Sequence, residues 1–184
     1  MSTILVTGGC GFIGSHTCLT LLEKNFNIVV LDSNINSNSI SLKRILEIGE
    51  LHNNNFAKQL SFIKGDIRNF NLIENIFLES IKKNSTIEAV VHFAGLKAVA
   101  ESVKYPLLYW DINFNGSLTL FRVMQKYNCK KIVFSSSATL YGNSSSKLIS
   151  ENSKLKPTNT YGKTKLAVEE LLKDIFFSSG ESWG

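Results

Sequence analysis

The sequence predicts an α/β fold built on a doubly wound parallel sheet, and two features of the chain lead to this prediction. Short apolar runs alternate with longer stretches of helical period along the 184 residues. A glycine-rich turn follows the first of these runs. Strands that are apolar at nearly every position are typical of a parallel sheet whose two faces are both covered by helices.

The predicted strands are the short apolar runs, which are rich in β-branched residues. Right-handed crossovers between successive parallel strands place them in the doubly wound order. The strands are predicted at residues 4–6, 27–31, 60–63, 88–93 and 131–135.

The predicted helices are the longer segments, in which apolar residues recur every three or four positions. Pro106 falls in the first turn of the longest one, where its missing N–H costs no hydrogen bond. Polar, turn-rich stretches at residues 33–39 and 143–159 predict loops. The helices are predicted at residues 12–22, 40–51, 72–81, 105–127 and 161–177.

The composition excludes several classes of protein. Hydrophobic residues make up 43% and charged residues 19%, which are ordinary values for a globular domain. The net charge is +5, but Lys and Arg are scattered rather than clustered, so we expect no nucleic-acid partner. The first apolar run is too short for a signal peptide or a membrane span, so we expect no membrane association.

The cysteines and histidines predict neither a disulfide framework nor a metal site. Cys10, Cys18 and Cys129 are odd in number and lack the spacing of a zinc site, so we expect reduced thiols in a cytoplasmic protein. The three histidines form no metal-binding pattern, and His92 is expected to be a hydrogen-bonded core residue.

The glycine-rich turn predicts a dinucleotide site. Gly8, Gly11 and Gly14 form a G-x-x-G-x-x-G pattern between the first strand and the first helix. The first glycine permits a tight turn, the second lets the backbone approach a pyrophosphate, and the third lets helix and strand pack closely. The helix N-terminus then offers free N–H groups and a partial positive charge to the phosphates.

Two acidic residues at strand ends extend this site. Asp32 ends the second strand near the spacing expected for a ribose-binding carboxylate, and it would repel a 2′-phosphate. This predicts NAD rather than NADP. Asp66 and Ile67 follow the third strand, where they either contact the adenine or cap a turn or helix.

A serine, a tyrosine and a lysine predict proton-transfer chemistry. Ser135, Ser136 and Ser137 stand at the end of the fifth strand, where ligands bind in open α/β sheets. Tyr161 and Lys165 are four residues apart, so on a helix they share one face. A free tyrosine has a pKa of about 10, and a nearby ammonium group favours the phenolate that can act as a base.

Together these motifs resemble the extended short-chain dehydrogenase/reductase superfamily. Three segments are similar to the UDP-glucose 4-epimerase family in particular, and the similarity runs from Thr3 to Trp183. Ile112 departs from it, because some members have an Asn there that contacts the cofactor. The three segments are 93–103 (FAGLKAVAESV), 135–142 (SSSATLYG) and 161–165 (YGKTK).

The resemblance implies a fold, a cofactor and a role for each site residue. The fold would be the Rossmann fold, the cofactor NAD, and the reaction epimerisation at C4 of a UDP-hexose through a 4-keto intermediate. Tyr161 would be the base, Ser137 its partner at the sugar hydroxyl, and Lys165 would hold the nicotinamide ribose and tune Tyr161. The implied cofactor contacts are Gly8, Gly11, Phe12, Ile13, Gly14, Asp32, Ser33, Asn34, Asn36, Ser37, Asp66, Ile67, Phe93, Ala94, Gly95, Lys97, Tyr161 and Lys165.

The resemblance also bears on the domain organisation. Members of the family are about twice as long and carry a second domain that grips the substrate nucleotide. We therefore expect residues 1–184 to form a C-terminally incomplete NAD-binding domain that is inactive alone, and the full-length form to be a homodimer. The polar tail after the last helix is expected to approach a further strand.

Two other functions remain open on the sequence. One is a non-catalytic or degenerate NAD-binding fragment. The other is a different sugar-nucleotide epimerase or a 4,6-dehydratase. A dehydratase needs further acid and base groups after the strand-end serine, typically an Asp-Glu pair, whereas this chain has Ala138 and Thr139.

Overall fold

The fold was analysed in a computed structural model of the chain. The structure describes residues 1–143, 148–180 and 182–184. Residues 144–147 of the predicted loop at 143–159 lie outside the described residues.

The centre of the molecule is a five-stranded sheet in the order β3-β2-β1-β4-β5, with every neighbouring pair parallel. The order reverses at β1, from which the chain winds first to one side and then to the other. This is the predicted doubly wound Rossmann topology. The strands are β1 (Thr3–Thr7), β2 (Asn27–Asp32), β3 (Leu60–Lys64), β4 (Ile87–His92) and β5 (Lys131–Phe134).

Helices cover both faces of the sheet, as its apolar strands require. Two short 3₁₀ segments lie at Phe56–Lys58 and Ala138–Tyr141, and a π-helical turn lies at Trp110–Asn115. The α-helices are α1 (Phe12–Glu23), α2 (Ile40–Leu51), α3 (Phe70–Lys82), α4 (Val99–Lys104), α5 (Pro106–Tyr109), α6 (Gly116–Lys126) and α7 (Thr160–Ser178).

The prediction of one unbroken helix over residues 105–127 was wrong at its start and in its middle. The helical segment begins at Pro106, because Tyr105 lies outside the helical region at φ −125° and ψ 63°. A residue before proline is sterically driven out of the α conformation. The π-helical turn then interrupts the regular ladder between α5 and α6. The separate helix α4 was not predicted.

The core has two halves, one on each face of the sheet. Leu5, Leu31 and Val90 pack with α3, α6 and α7 on one face. Ile4 and Val6 pack with α1 and α2 on the other. Alternate residues of one strand thus enter different cores, which explains why both positions of the alternation are apolar.

The residues at the end of the chain run beside β5. The Gly184 N–H donates to the Lys130 carbonyl at 2.9 Å, and the Ile132 N–H donates to the Gly184 carbonyl at 2.7 Å. This pairing is that of a parallel neighbour, in agreement with the expected approach to a further strand. Trp183 is buried in the core beside it.

A buried polar chain joins the ends of β1 and β4, and it confirms His92 as a hydrogen-bonded core residue. Ser117 Oγ donates to the Asn113 carbonyl, so it accepts from His92 Nε2 at 2.9 Å. His92 Nδ1 therefore accepts from Thr7 Oγ1 at 2.6 Å, and Thr7 Oγ1 accepts from the Ala94 N–H at 3.4 Å. Burial, assisted by the charge of Lys165, lowers the pKa of His92 to about 3.

We predict that His92 makes the fold less stable in mild acid. The folded state keeps His92 neutral below its ordinary pKa of 6.5, whereas the unfolded chain takes up the proton. Stability is therefore lost as the pH falls from about 6.5. Between pH 6.5 and 5 this group should remove about 2 kcal/mol from the free energy of unfolding.

The measurement is urea unfolding of the wild type and of His92→Gln at several pH values. Other groups titrate in both proteins, so the informative quantity is the difference between the two slopes. Equal losses of stability in the two proteins over this range would show that His92 is not the source.

Candidate functional site

A cleft of about 540 Å³ opens at the carboxyl ends of the strands. It lies where the strand order reverses, between β1 and β4, which is the usual ligand position in open α/β sheets. Of the sequence-predicted site residues only Asn34 is absent from its lining. Those that line it are Gly8, Gly11, Phe12, Ile13, Gly14, Asp32, Ser33, Asn36, Ser37, Asp66, Ile67, Phe93, Ala94, Gly95, Lys97, Ser137, Tyr161 and Lys165.

The glycine turn is packed as tightly as the motif requires. Gly8 has a φ of +71°, and a Cβ built there would lie 2.6 Å from the Ala94 nitrogen. A Cβ on Gly14 would lie 2.3 Å from the Gly8 carbonyl oxygen. Real Cβ atoms essentially never make such contacts with backbone, so only glycine allows β1, α1 and the end of β4 to meet this closely.

The N-terminus of α1 is open towards the cleft. The helix begins at Phe12, its N-cap is Gly11, and no side chain caps it. The first amides of a helix have no partner within it, so those of Phe12 and Ile13 are available to an anion. The Phe12 and Ile13 side chains are 76% and 60% exposed, so the apolar rim here is open to solvent.

Asp32 is held rigidly at the end of β2. Its Oδ2 accepts from the Cys10 N–H at 2.9 Å. Its Oδ1 accepts from the Asn34 N–H at 2.9 Å and from Ser37 Oγ at 2.7 Å. A carboxylate has about four acceptor positions, so one is left for a ribose hydroxyl, and a second hydroxyl would replace Ser37.

Asn34 supports this carboxylate instead of lining the cleft. Its φ of +58° turns the chain sharply after β2. Its amide is thereby directed at Asp32, whereas Ser33, Asn36 and Ser37 face the cleft.

Asp66 both lines the cleft and closes a turn. Its side chain accepts from the Arg68 N–H at 2.8 Å and from the Arg68 guanidinium, which also reaches Asp111 at 2.5 Å. These hydrogen bonds hold the pKa of the Asp66 carboxyl below its usual range. The cap of α3 is Asn69, so helix capping is excluded as the role of Asp66. The adenine contact and the turn are compatible.

Ser137 is oriented by its neighbour Thr139. The Ser137 Oγ accepts from the Thr139 N–H at 3.2 Å and from Thr139 Oγ1 at 3.0 Å. A hydroxyl has two acceptor positions and one proton to donate. With both acceptor positions engaged, Ser137 can act towards a ligand only as a donor.

Tyr161 and Lys165 lie on successive turns of α7, and both line the cleft as their spacing predicts. Lys165 Nζ donates to the Ser135 carbonyl at 2.8 Å and lies 4.6 Å from the centre of the Phe134 ring. Burial lowers the pKa of Lys165 to about 8. The ammonium group is therefore still charged at neutral pH.

The segment after β4 forms the opposite wall of the cleft. Asn113 holds this wall from behind, because its Oδ1 accepts from the Leu96 N–H at 2.8 Å and its Nδ2 donates to the Leu96 carbonyl at 3.0 Å. Its neighbour Ile112 lines the cleft. Position 112 thus places an apolar side chain in the site. Asn113 does not line the cleft and instead supports its wall through Leu96.

Several other residues line the cleft without being among the predicted contacts, although Ser135, Ser136 and Ile112 were expected near the site. Ile35 and Gly65 lie beside predicted contacts, and their positions after strand ends could have indicated them. Cys10 carries no such signal. Burial, with the nearby charge of Asp32, raises its pKa to about 12. The additional lining residues are Cys10, Leu31, Ile35, Gly65, Leu96, Ile112, Ser135 and Ser136.

Two searches of the described part of the chain gave no result. None of its helices is long and apolar enough to cross a membrane. No three His, Cys, Asp or Glu side chains in the same residues converge on a possible metal site.

Comparison with protein families gives a match over residues 5–181 to the family described as GDP-mannose 4,6 dehydratase. The chain belongs to this family. Among its members the chain is similar to UDP-glucose 4-epimerase of Bacillus subtilis, with 46% identity over 178 residues. It is also similar to UDP-glucose 4-epimerase 2 of Oryza sativa, with 45% identity over 179 residues.

Solved structures of UDP-glucose 4-epimerases are also similar to this chain. The UDP-glucose 4-epimerase of Bifidobacterium longum, crystallised with NAD+ and UDP, superposes with a TM-score of 0.88 at 41% identity over 99% of this chain. The match covers 51% of that chain, and the two relatives are covered to 49% and 42%. The chain thus spans about half the length of the relatives it matches.

We predict that Asp32 makes the site at least tenfold tighter for NAD than for NADP. A 2′-phosphate would lie against the fixed Asp32 carboxylate. Both groups are negatively charged, and the carboxylate has no proton to donate to the phosphate, so they repel each other. Fluorescence titrations with NADH and NADPH measure the preference, and Asp32→Ser should reduce it. Asp66→Asn is the control, since the adenine is common to both ligands and both should weaken alike. If the wild type bound NADPH as tightly as NADH, or more tightly, this prediction would be refuted.

Proposed function

We propose that this chain carries the NAD-binding and proton-transfer half of an enzyme that epimerises UDP-hexoses at C4, interconverting UDP-glucose and UDP-galactose through a 4-keto intermediate. The observation that carries the proposal is that Ser137, Tyr161 and Lys165 line the same cleft as the glycine turn. The similarity to UDP-glucose 4-epimerases supports the substrate class.

The residues of the cleft fit NAD. The uncapped start of α1 suits the pyrophosphate, and Asp32 suits the adenosine ribose. Ser136 Oγ lines the same cleft, is buried, and has no hydrogen-bond partner among the described residues, so it can bond a ligand there. When bound, NAD would accept a hydride from C4 of the sugar and return it to the opposite face.

The protein side of the reaction follows from the hydroxyl geometry. Ser137 donates a hydrogen bond to the sugar O4, because Thr139 occupies its acceptor positions. Tyr161, as phenolate, takes the O4 proton as the carbonyl forms, and gives it back when the hydride returns. The Ser137 bond strengthens as O4 gains carbonyl character, so it stabilises the transition state more than the bound sugar.

Lys165 supplies the positive charge of this arrangement. Its ammonium group is anchored to the Ser135 carbonyl, directly before the serines of the site. A fixed cation near a tyrosine favours the phenolate over the phenol. We assign to Lys165 this charge and a hydrogen bond to the nicotinamide ribose.

The family description names a dehydratase, and dehydration is the second candidate reaction. Elimination across C5 and C6 requires an acid and a base beside the strand-end serine. Ala138 has no polar side chain, and Thr139 is engaged with Ser137. Incubation with UDP-glucose and NAD distinguishes the reactions, since epimerisation yields UDP-galactose and dehydration a 4-keto-6-deoxy sugar. If neither product forms, the result would support a non-catalytic NAD-binding module.

We further propose a cytoplasmic homodimer as the working form of the complete protein. Large apolar side chains are exposed along α4 and α5, where Val103 is 65% and Leu107 84% exposed. A second copy of the chain would cover them. The substrate nucleotide would be bound by residues outside positions 1–184.

Residues 1–184 alone are predicted to have negligible epimerase activity. Turnover needs the sugar O4 held against Tyr161, and that positioning draws on binding energy from remote parts of the substrate, here the UDP. A coupled assay with NAD and UDP-galactose, run beside the complete gene product, measures this. A rate on the order of 10 s⁻¹ from the isolated segment would show that it holds the UDP itself.

Tyr161→Phe in the complete gene product is predicted to lower turnover by about 10²-fold or more, the usual effect of losing a positioned acid–base group. NAD affinity should change little, because the aromatic ring is kept. Tyr127→Phe is the matched control, since Tyr127 does not line the cleft and its hydroxyl contacts Glu74 instead. Near-normal turnover of Tyr161→Phe would exclude Tyr161 as the base.

A further inference from the structure

The first turn of α7 carries Tyr161, and its backbone amides need partners from outside the helix. The N-cap Asn159 serves two of them, since its side chain accepts from the Gly162 N–H at 2.8 Å and its carbonyl from the Lys163 N–H at 3.0 Å. The Tyr161 N–H, at the second position of the helix, cannot bond within it. It donates instead to Ser102 Oγ at 3.1 Å, 59 residues earlier in the chain.

Ser102 is built to accept this bond. Its hydroxyl donates to the Val99 carbonyl at 2.6 Å, which turns an acceptor position towards Tyr161. The residue is 0% exposed, so no water competes for the contact. Because its proton is already used inside α4, Ser102 meets Tyr161 in a single orientation.

Helix α4 is itself fixed from behind by Tyr109. The Tyr109 hydroxyl has one proton to donate, and the Ala98 carbonyl at 2.8 Å and Glu101 Oε2 at 2.6 Å are its two acceptors; its side chain is fully buried. Burial, followed by the hydrogen bond to Glu101, raises the pKa of Tyr109 to about 12. Tyr109 therefore supports the turn of α4 that leads into Ser102.

The same segment of chain forms the cofactor wall of the cleft. Lys97 lines the cleft, and α4 begins two residues later at Val99. A hydrogen bond from α4 to the start of α7 therefore fixes the backbone of Tyr161 relative to that wall. A second tie, from Asn113 Nδ2 to Thr164 Oγ1 at 3.2 Å, lies one turn further along α7.

We propose that Ser102 is a positioning residue for Tyr161. By accepting a hydrogen bond from the Tyr161 N–H, Ser102 fixes the backbone of Tyr161 and hence the position of its phenol in the cleft. This rests on the proposed function, in which Tyr161 exchanges a proton with the sugar O4. Proton transfer needs heavy atoms about 2.6–3.2 Å apart, so a small displacement of the backbone impairs it. Without the hydroxyl, the part-buried Tyr161 N–H loses its partner and the first turn shifts to find another.

The test compares Ser102→Ala with Ser80→Ala in the complete gene product. Ser80 is a close match, since it is helical, 7% exposed, and donates to the carbonyl three residues before it, that of Phe77, at 2.7 Å. It differs in having no hydrogen bond to α7 among the described residues. Both variants lose one buried hydroxyl, but only Ser102→Ala removes a partner of Tyr161.

Three quantities are measured for each variant: kcat with UDP-galactose, KM for UDP-galactose, and the affinity for NAD. We expect kcat of Ser102→Ala to fall about tenfold or more, with KM and NAD affinity within about twofold of wild type. Ser80→Ala should match the wild type in all three. Amide hydrogen exchange should be faster at Tyr161 in Ser102→Ala and unchanged there in Ser80→Ala. If Ser102→Ala does not fold, Ser102→Cys fills the same space with a weaker acceptor and should show the same pattern.

The outcomes separate this inference from the proposed function. A kcat that falls equally in both variants, or a fall matched by loss of NAD affinity, would overturn the positioning role and leave Ser102 a structural residue. An inactive wild type would count against the proposed function instead. In that case unchanged exchange at Tyr161 in Ser102→Ala overturns the inference, and faster exchange there supports it.

Discussion

The close approach of three backbone segments at the ends of β1 and β4 is the constraint on which the rest of the site depends. The carbonyl of Gly8 lies where a side chain on Gly14 would have to be, and the backbone at Ala94 fills the corresponding space beside Gly8. Only because these segments touch can α1 present its free amides to the same cleft that the loop after β4 encloses. Any side chain in this junction would separate the glycine turn from the opposite wall.

Buried polar contacts then fix the pieces around that junction. His92 is hydrogen-bonded to Thr7 at the end of β1 and to Ser117 in α6. Asn113 is in turn hydrogen-bonded to Leu96 and to Thr164 in α7. Each side-chain polar atom of this hydrogen-bond network has a partner. Burying these groups therefore costs little free energy, and the partners fix a specific arrangement. The helix that bears Tyr161 and Lys165 is thereby held in register with the loop that lines the cofactor cleft.

Family membership and site chemistry answer different questions about this chain. The family description names a dehydratase, whereas the relatives with 45–46% identity named above are epimerases. The groups beside Ser137 separate the two reactions, and Ala138 and Thr139 offer no acid–base pair for elimination. The proposed reaction therefore rests on the residues of the site, whereas the proposed substrate class rests on the similarity to UDP-glucose 4-epimerases.

The sequence by itself determined whatever depends on near neighbours in the chain. The apolar runs predicted all five strands, the glycine spacing predicted the turn before α1, and the four-residue interval predicted that Tyr161 and Lys165 share a face. The tertiary structure alone decided how distant segments meet. The hydrogen bonds of Asn113 to Leu96, the anchoring of Lys165 by Ser135, and the contact of Ser102 with Tyr161 join residues that no local period connects. Backbone periodicity is set within a few residues, whereas these contacts exist only once the helices have packed on the sheet.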